Sequence, residues 1–494
     1  MSEPTEATDA TGTTDATSPA DAARPTDVAA PGGGAPPVGA SDPVGAPPAS
    51  VSEAADRDTA ADLMSVVASR GYRGLLLVSA LLGIPVALIA WGFLVTVHWL
   101  ENLVWDTVPH SLGMDTPAPW YGVVVLTLAG LLVGVLILRM PGTAGHIPVH
   151  GLGGGQPQPR ELPSIVLVAL ASLALGAVVG PEAPLVAIGA GLVIVALHRT
   201  RLSAQPQAIT LLAVAGSAAA ISTIFGNPVV GAVLMLEVVG FAGSQVLLVM
   251  LPAVLASGVG ALVFTGLGDW SGLDAPSLAI PGLQAASLDA ADLLWAVPIA
   301  VGIALVAQAT RRIGLTVASA AQKRTVPVTV IAGLIVGLCA AAYTILTGRP
   351  LADVLFSGET DIAPLVSNPA SWTVGGLVAL VVFKAIAYAV SIGAFRGGPT
   401  FPALLIGAAI GILAGHLPGL GVTAGVAIGM AAGMAAVLRL PITTVVLVTL
   451  LLGEQALSQI PIVMIAAVVG LVTAVGLDRK DTIRPLKARA ARTP

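Results

Sequence analysis

The 494-residue chain is 55% hydrophobic and only 10% charged, with a mean hydropathy of +0.92. That composition is too apolar for a water-soluble globule and predicts an all-α polytopic membrane protein. A net charge of −5 gives no basic patch for nucleic acid, and the single cysteine, Cys339, excludes a disulfide framework or a cysteine-built metal site within one chain.

Residues 1 to about 60 are Ala, Pro, Thr, Gly, Ser and Asp with almost no large apolar side chain. They bury too little surface to offset the entropy of ordering, so a disordered cytoplasmic tail is expected over 1–70. The basic start and apolar core of a signal peptide are missing from it, and the first hydrophobic run is expected to direct insertion itself. Arg70 and Arg73 precede that run, 74–99, which is long enough to cross a bilayer and places the N-terminus in the cytoplasm. Trp99, Trp105 and Trp120 then read as interfacial anchors on the far side, and 121–138 returns to Arg139.

Next come Pro141-Gly142-Thr143-Ala144-Gly145-His146-Ile147-Pro148 and Gly151-Leu152-Gly153-Gly154-Gly155, breakers that suit either a re-entrant half-helix or an ordinary loop. His146 and His150 are four apart, but Pro148 between them spoils the helical spacing of a metal pair, and no metal or cofactor is expected.

An apolar helix over 162–179 runs into Gly180-Pro181-Glu182-Ala183-Pro184, and 183–197 continues beyond it to His198, Arg199 and Arg201. Gly and Pro end the incoming helix, and Pro184 suits the first turn of a new one. Glu182 is thereby placed at a helix start, where amide N–H groups and the helix dipole favour an anion. A carboxylate at the centre of a membrane helix costs ~2.5–3.5 kcal/mol, so Glu182 is the leading functional residue. The spans 208–225 and 229–241 follow, flanking Gly226-Asn227-Pro228, with Glu237 inside the latter.

A segment rich in Asp, Ser, Pro and Gly, 268–291, is the expected linker to a second half. That half opens at 293–309, where Arg311-Arg312 and Lys323-Arg324 flank an expected connection, and proceeds through 326–346 and 374–392. Lys384 in the latter is expected to pair with backbone carbonyls or add positive potential. The second half then repeats the first. Gly398-Pro399-Thr400-Phe401-Pro402 aligns without a gap on the Glu182 break, and the stretch from Gly429 to Leu440-Pro441 resembles that from Gly216 to Asn227-Pro228. Two motifs recurring in order predict inverted halves, about 71–267 and 292–478, with broken helices meeting near the membrane midplane. A basic tail over 479–494 argues for a cytoplasmic C-terminus.

In these motifs the chain resembles the CLC family of chloride channels and chloride/proton exchangers. The family's Gly-Ser-Gly-Ile-Pro, Gly-Arg-Glu-Gly-Pro and Gly-x-Phe-x-Pro stand here as Ala144-Gly145-His146-Ile147-Pro148, Gly180-Pro181-Glu182-Ala183-Pro184 and Gly398-Pro399-Thr400-Phe401-Pro402. The resemblance covers about residues 71–478 and implies an inverted-repeat fold of broken and half-spanning helices, assembled as a homodimer in the plasma membrane. It implies transport of chloride or another small anion, with protons as a second ion. By residue it implies Glu182 as the gating and proton-exchange group, anion contacts from His146, Ile147, Ala183, Gly398, Thr400 and Phe401, and a possible inner proton route at Glu237. The departures are Gly145 where the family has its coordinating Ser, Pro181 for the Arg, and Pro399 for a residue whose N–H faces the ion. Val238 takes the inner glutamate's place, beside Glu237, and no Tyr is present in the C-terminal tail. The spans carry neither His-Glu-x-x-His nor a convincing Ser–His pair, so an enzyme is not expected. A secondary transporter of another small anion and a non-transporting scaffold remain alternatives.

Overall fold

The computed structural model describes residues 63–490 apart from 143, 153–155, 199, 201–204, 241–244, 272–278 and 284–285. The expected N-terminal tail to residue 62, the Gly153–155 run, Arg199, Arg201 and part of the expected linker lie outside the described residues. Among the described residues the protein is all-α, and eight helices are long and apolar enough to cross a membrane, with four shorter apolar ones between them.

Proline and glycine set the element boundaries. α1 (Arg70–Asn102), prolonged by a π turn and a last turn to Ser111, is followed by α2 (Pro119–Arg139). α3 (Leu162–Ala174) stops earlier than expected, because Leu175 and Gly176 (φ 91°) turn the chain before the Glu182 break. α4 (Glu182–Leu197), α5 (Pro206–Phe225), α6 (Pro228–Val239) and α7 (Gln245–Ser271) complete the first half.

The second half opens with α8 (Ala290–Lys323). The connection expected after Arg311-Arg312 is absent, since residues 313–322 hold no proline, their one glycine, Gly314, is packed close to Ile392, and Arg311 is anchored on Asp478 at 3.0 Å. α9 (Thr325–Thr347) follows at once, then a connector carrying α10 (Glu359–Ser367), and α11 (Val374–Ala394). α12 (Thr400–Ala414), α13 (Val422–Leu438), α14 (Pro441–Leu452) and α15 (Ala456–Ala490) end the chain, with α15 running past the expected boundary at Leu477.

The duplication read from two motifs extends to packing. α4 crosses α5 where Gly189 meets Gly216, and α12 crosses α13 where Gly407 meets Gly429; at each of these sites a Cβ would overlap a backbone carbonyl of the facing helix. Gly189 and Gly407 each lie seven residues after the equivalent Glu182 and Thr400. α2 and α9 pack antiparallel through Gly130 and Gly134 against Gly333 and Gly337, the close approach that small-xxx-small spacing permits in lipid. That pairing sets Arg139, at the end of α2, beside the start of α9, where Lys323 and Arg324 lie.

The tryptophan expectation divides. Trp99 and Trp120 are exposed, but Trp105 turns inward, donates from Nε1 to the Ala174 carbonyl at 3.1 Å and packs on Phe356. Lys384 is fully buried, and its Nζ donates to the carbonyls of Asp353, Val354 and Leu355 at 3.0–3.4 Å.

Gly407→Ala puts a methyl group into a backbone carbonyl and is expected to cost about 1–3 kcal/mol, the range for an overpacked core. The measurement is the melting temperature of the detergent-solubilised protein, with Gly302→Ala, which meets nothing within 4 Å, as the unaffected comparison.

Candidate anion site

Two chain breaks about 220 residues apart in sequence meet at backbone level. Gly180 N–H donates to the Gly398 carbonyl at 2.7 Å, and Gly398 N–H donates back at 2.5 Å, an isolated antiparallel bridge between the two halves. Each break is further satisfied by a hydroxyl from the other half. Ser391 Oγ on α11 accepts from Val178 N–H at 3.1 Å, and Ser172 Oγ on α3 accepts from Arg396 N–H at 3.2 Å. Both serines are fully buried, so each removes the cost of an orphaned amide in an apolar interior.

The bridge brings the N-termini of α4 and α12 together. Pro181 (φ −84°, ψ −2°) and Pro399 (φ −92°, ψ 0°) occupy equivalent N-cap positions, and neither has an N–H to offer. Glu182, Thr400 and Phe401 therefore supply the first free amides. The Glu182 side chain turns into this space: its Oε1 accepts from Phe401 N–H at 3.3 Å, with the Thr400 amide also nearby. Glu182 and Thr400 are both fully buried. Glu182 Oε2 and Thr400 Oγ1 have no well-formed hydrogen-bond partner, although the two side chains are close.

Gly180 and Gly398 leave room for that carboxylate, since a Cβ on either would overlap its oxygens. The Phe401 ring packs on Phe225, at the end of α5, with centroids 5.6 Å apart. Tyr388, buried on α11, donates its hydroxyl to the Pro399 carbonyl at 2.9 Å and so steadies the turn before Thr400.

Glu182 separates two cavities. One, of about 270 Å³, is lined by Gly145, His146, Ala183, Pro184, Arg396 and Gly397 among others. The other, of about 410 Å³, reaches Val179 and Pro181 from the C-terminal half of α1. Residues on either side of Glu182 thus line different cavities. His146 faces the first cavity with its Nε2 buried and unpartnered, whereas Ile147 starts the short turn Pro148–His150 and is not in the cavity wall. The stretch that offered a half-helix or a loop is a loop ending in that turn.

Glu237 lies elsewhere. Its carboxylate accepts from the amides of Ile442 and Thr443 at 2.9 and 2.8 Å and from Thr443 Oγ1 at 2.7 Å, the geometry of a carboxylate capping the start of α14. Arg396 was missed as a site residue. It belongs to a Gly-rich break that reads as a turn, yet its side chain is buried, donates to the Phe395 carbonyl at 3.2 Å and lines the cavity beside Ala183. Tyr388, Ser172 and Ser391 were also missed, because a single polar residue in an apolar span carries no local sign of the distant amide or carbonyl it meets.

A sequence profile described as voltage gated chloride channel matches residues 148–475. The chain belongs to that family. Among relatives, YfeO of Escherichia coli O1:K1 / APEC, a candidate ion-transport protein, is 29% identical over 344 residues, covering 68% of this chain and 78% of its own. YfeO of Shigella boydii serotype 4 matches to the same extent. Among solved structures of the family's fold, a slow cyanobacterial Cl−/H+ antiporter superposes with a TM-score of 0.66 at 17% identity, over 82% of this chain and 94% of that one. A CLC-type fluoride/proton antiporter gives 0.59 at 17% identity, over 81% and 96%. The CLC fold, with its broken helices, is therefore the fold of this multi-pass membrane protein.

Two outcomes are expected. Ser172→Ala and Ser391→Ala should each lower stability by about 1–3 kcal/mol, the range for a buried amide left unpaired, as read from thermal unfolding. Gly398→Ala should expel the Glu182 carboxylate, and a structure of that variant should show Oε1 moved away from the Phe401 amide.

Proposed function

We propose that the protein carries a small inorganic anion, chloride or a similar halide, across the membrane, with Glu182 as gate. The supporting observation is the Glu182 carboxylate resting on the Phe401 amide at the boundary between two cavities. An anion leaving water for an apolar interior loses its hydration and needs fixed dipoles in return. Helix N-termini supply these, each equivalent to about half a positive charge, without a full cation that would hold the ion too long. The space that receives Glu182 is the space an anion would take.

Protonation sets the exchange. Ionised, Glu182 competes for the Phe401 amide; neutral, it accepts that hydrogen bond weakly and yields the position. Arg396 adds positive charge and His146 a ring nitrogen on the approach through the first cavity, where the family's serine hydroxyl is missing at Gly145. Ala183, Gly398, Thr400 and Phe401 form the shared backbone of the site, and Thr400 Oγ1 is the one added hydroxyl. Glu237 is in this reading a structural cap for α14, not a carrier of protons.

Arg139, Lys323 and Arg324 gather at one face, and the loop that follows Arg139 in sequence lines the first cavity. The positive-inside tendency makes that face cytoplasmic. We place the protein in the plasma membrane with both termini inside, and we expect a homodimer with one site per subunit.

The test is anion efflux from liposomes loaded with chloride or fluoride. Wild-type flux is expected to rise as pH falls, because protonation frees the amides, by at most about tenfold per pH unit for one carboxyl. Glu182→Gln should give flux that ignores pH. Absence of flux for every halide in both proteins would overturn the reading.

A further inference from the structure

The larger cavity carries acidic groups that gating by Glu182 alone does not use. Glu101 and His98 reach it from α1, Glu359 and Asp361 from α10, and its floor is Val179 and Pro181, next to Glu182. At about 410 Å³ it has ample room for water between them. It lies at the C-terminal end of α1, the end opposite Arg70 and Arg73, whereas the first cavity is lined by Ala144, Gly145 and His146 of the loop that follows Arg139 in sequence. Opposite Glu182, then, one side offers Arg396 and His146 and the other offers carboxylates.

Glu359 is the acidic group with electrostatic reach to both ends of this route. Its charge is coupled to Glu182 on one side and Glu101 on the other. It sits in the connector between the spans α9 and α11, deep in the protein yet keeping part of its surface toward the cavity. Burial foremost, then the negative charges of Glu182 and Glu101, push its carboxyl up to about 8, so it can both hold and release a proton near neutral pH.

Its position is fixed by neighbours. Gly358, at φ 79°, brings α10 down onto Lys384, whose Nζ would be 3.2 Å from a Cβ there. Lys384 in turn holds the carbonyls of Asp353 to Leu355, while Tyr343 and Arg349 donate to Asp353 Oδ2 at 2.7 and 2.8 Å, and Arg349 stacks on Trp372. The titratable and charged groups around Glu359 are thus Glu101 and His98 from α1, Glu182 from α4, Asp353 from the connector, Asp361 from its own helix and Lys384 from α11.

We propose that Glu359 relays protons between the larger cavity and Glu182, giving protons access to the gate from the face opposite the basic one. This rests on Glu182 being a proton-exchange group. The receiving atom is Glu182 Oε2, which is fully buried and has no well-formed hydrogen-bond partner, with the Thr400 side chain beside it. In the step, an O–H bond breaks on Glu359 and one forms on Glu182, the proton passing through water that enters from the cavity. Glu359 becomes a carboxylate and regains its proton from the cavity. Anions approach on the other side, past Arg396, so the two ions need not share one path up to the gate.

The test is proton and anion movement recorded together in liposomes holding wild type, Glu359→Gln or Glu359→Asp. The proton-to-anion ratio is expected to fall at least tenfold in Glu359→Gln and to return in Glu359→Asp. A ratio equal to wild type in Glu359→Gln overturns the relay while leaving Glu182 gating intact. Loss of both fluxes in Glu359→Gln with recovery in Glu359→Asp supports an obligatory relay; loss in both variants makes Glu359 structural and overturns it. Anion flux with no proton movement in wild type overturns the relay together with the proton part of the Glu182 reading.

Discussion

The arrangement depends on one pair of backbone hydrogen bonds, those between Gly180 and Gly398. A broken helix in lipid exposes amides that water cannot satisfy, and such a break survives only where other protein groups meet it. Here each break is met by its counterpart. The bridge ties the chain at two points, Ser172 and Ser391 complete the amides beside it, and the remaining N–H groups of α4 and α12 are left aimed at a common space. Neither break would be tolerable alone, and together they create an electropositive point without an added cation.

The same constraint explains the small residues. Two helix starts can converge only if the helices behind them pack closely, and Gly189 on Gly216 and Gly407 on Gly429 supply that closeness in both halves. Departures from the family's motifs also obey the symmetry. Pro181 and Pro399 fall at matching N-cap positions with nearly equal dihedral angles, so each half loses one donor at the same place. Fewer amides then face the space between the two helix starts, and a buried Arg396 places positive charge on the wall of one adjoining cavity, beside His146. Pro181 stands where the family's motif has its arginine, and the buried arginine near Glu182 lies instead on the opposing break, at Arg396.

Much of this was legible in sequence because Gly and Pro act locally. The breaks at Glu182, Asn227, Thr400 and Leu440 sit where those residues predict, and the gap-free match of the first and third implied their meeting. The extent of α8 was not legible: Arg311-Arg312 reads as a membrane edge, but an arginine pair does not stop a helix when a distant Asp478 accepts it. Trp105 was misplaced for a related reason, its indole N–H having a carbonyl partner at Ala174. Glu237 reads as a possible inner proton route, and nothing near it in sequence points to the amides of Ile442 and Thr443, some 205 residues on, that it caps. Contacts between the halves have no signature in a local window, and the missed Ser172 and Ser391 are residues that make them.

The central claim is that Glu182 and a transported anion compete for the same amides. Its most direct test is anomalous scattering from bromide in crystals of Glu182→Ala. The account predicts a bromide peak within hydrogen-bonding distance of the Phe401 amide, between the starts of α4 and α12, that is weak or missing in wild type at neutral pH. Bromide absent from that position, or equally present there with the Glu182 carboxylate still on the Phe401 amide, would contradict it.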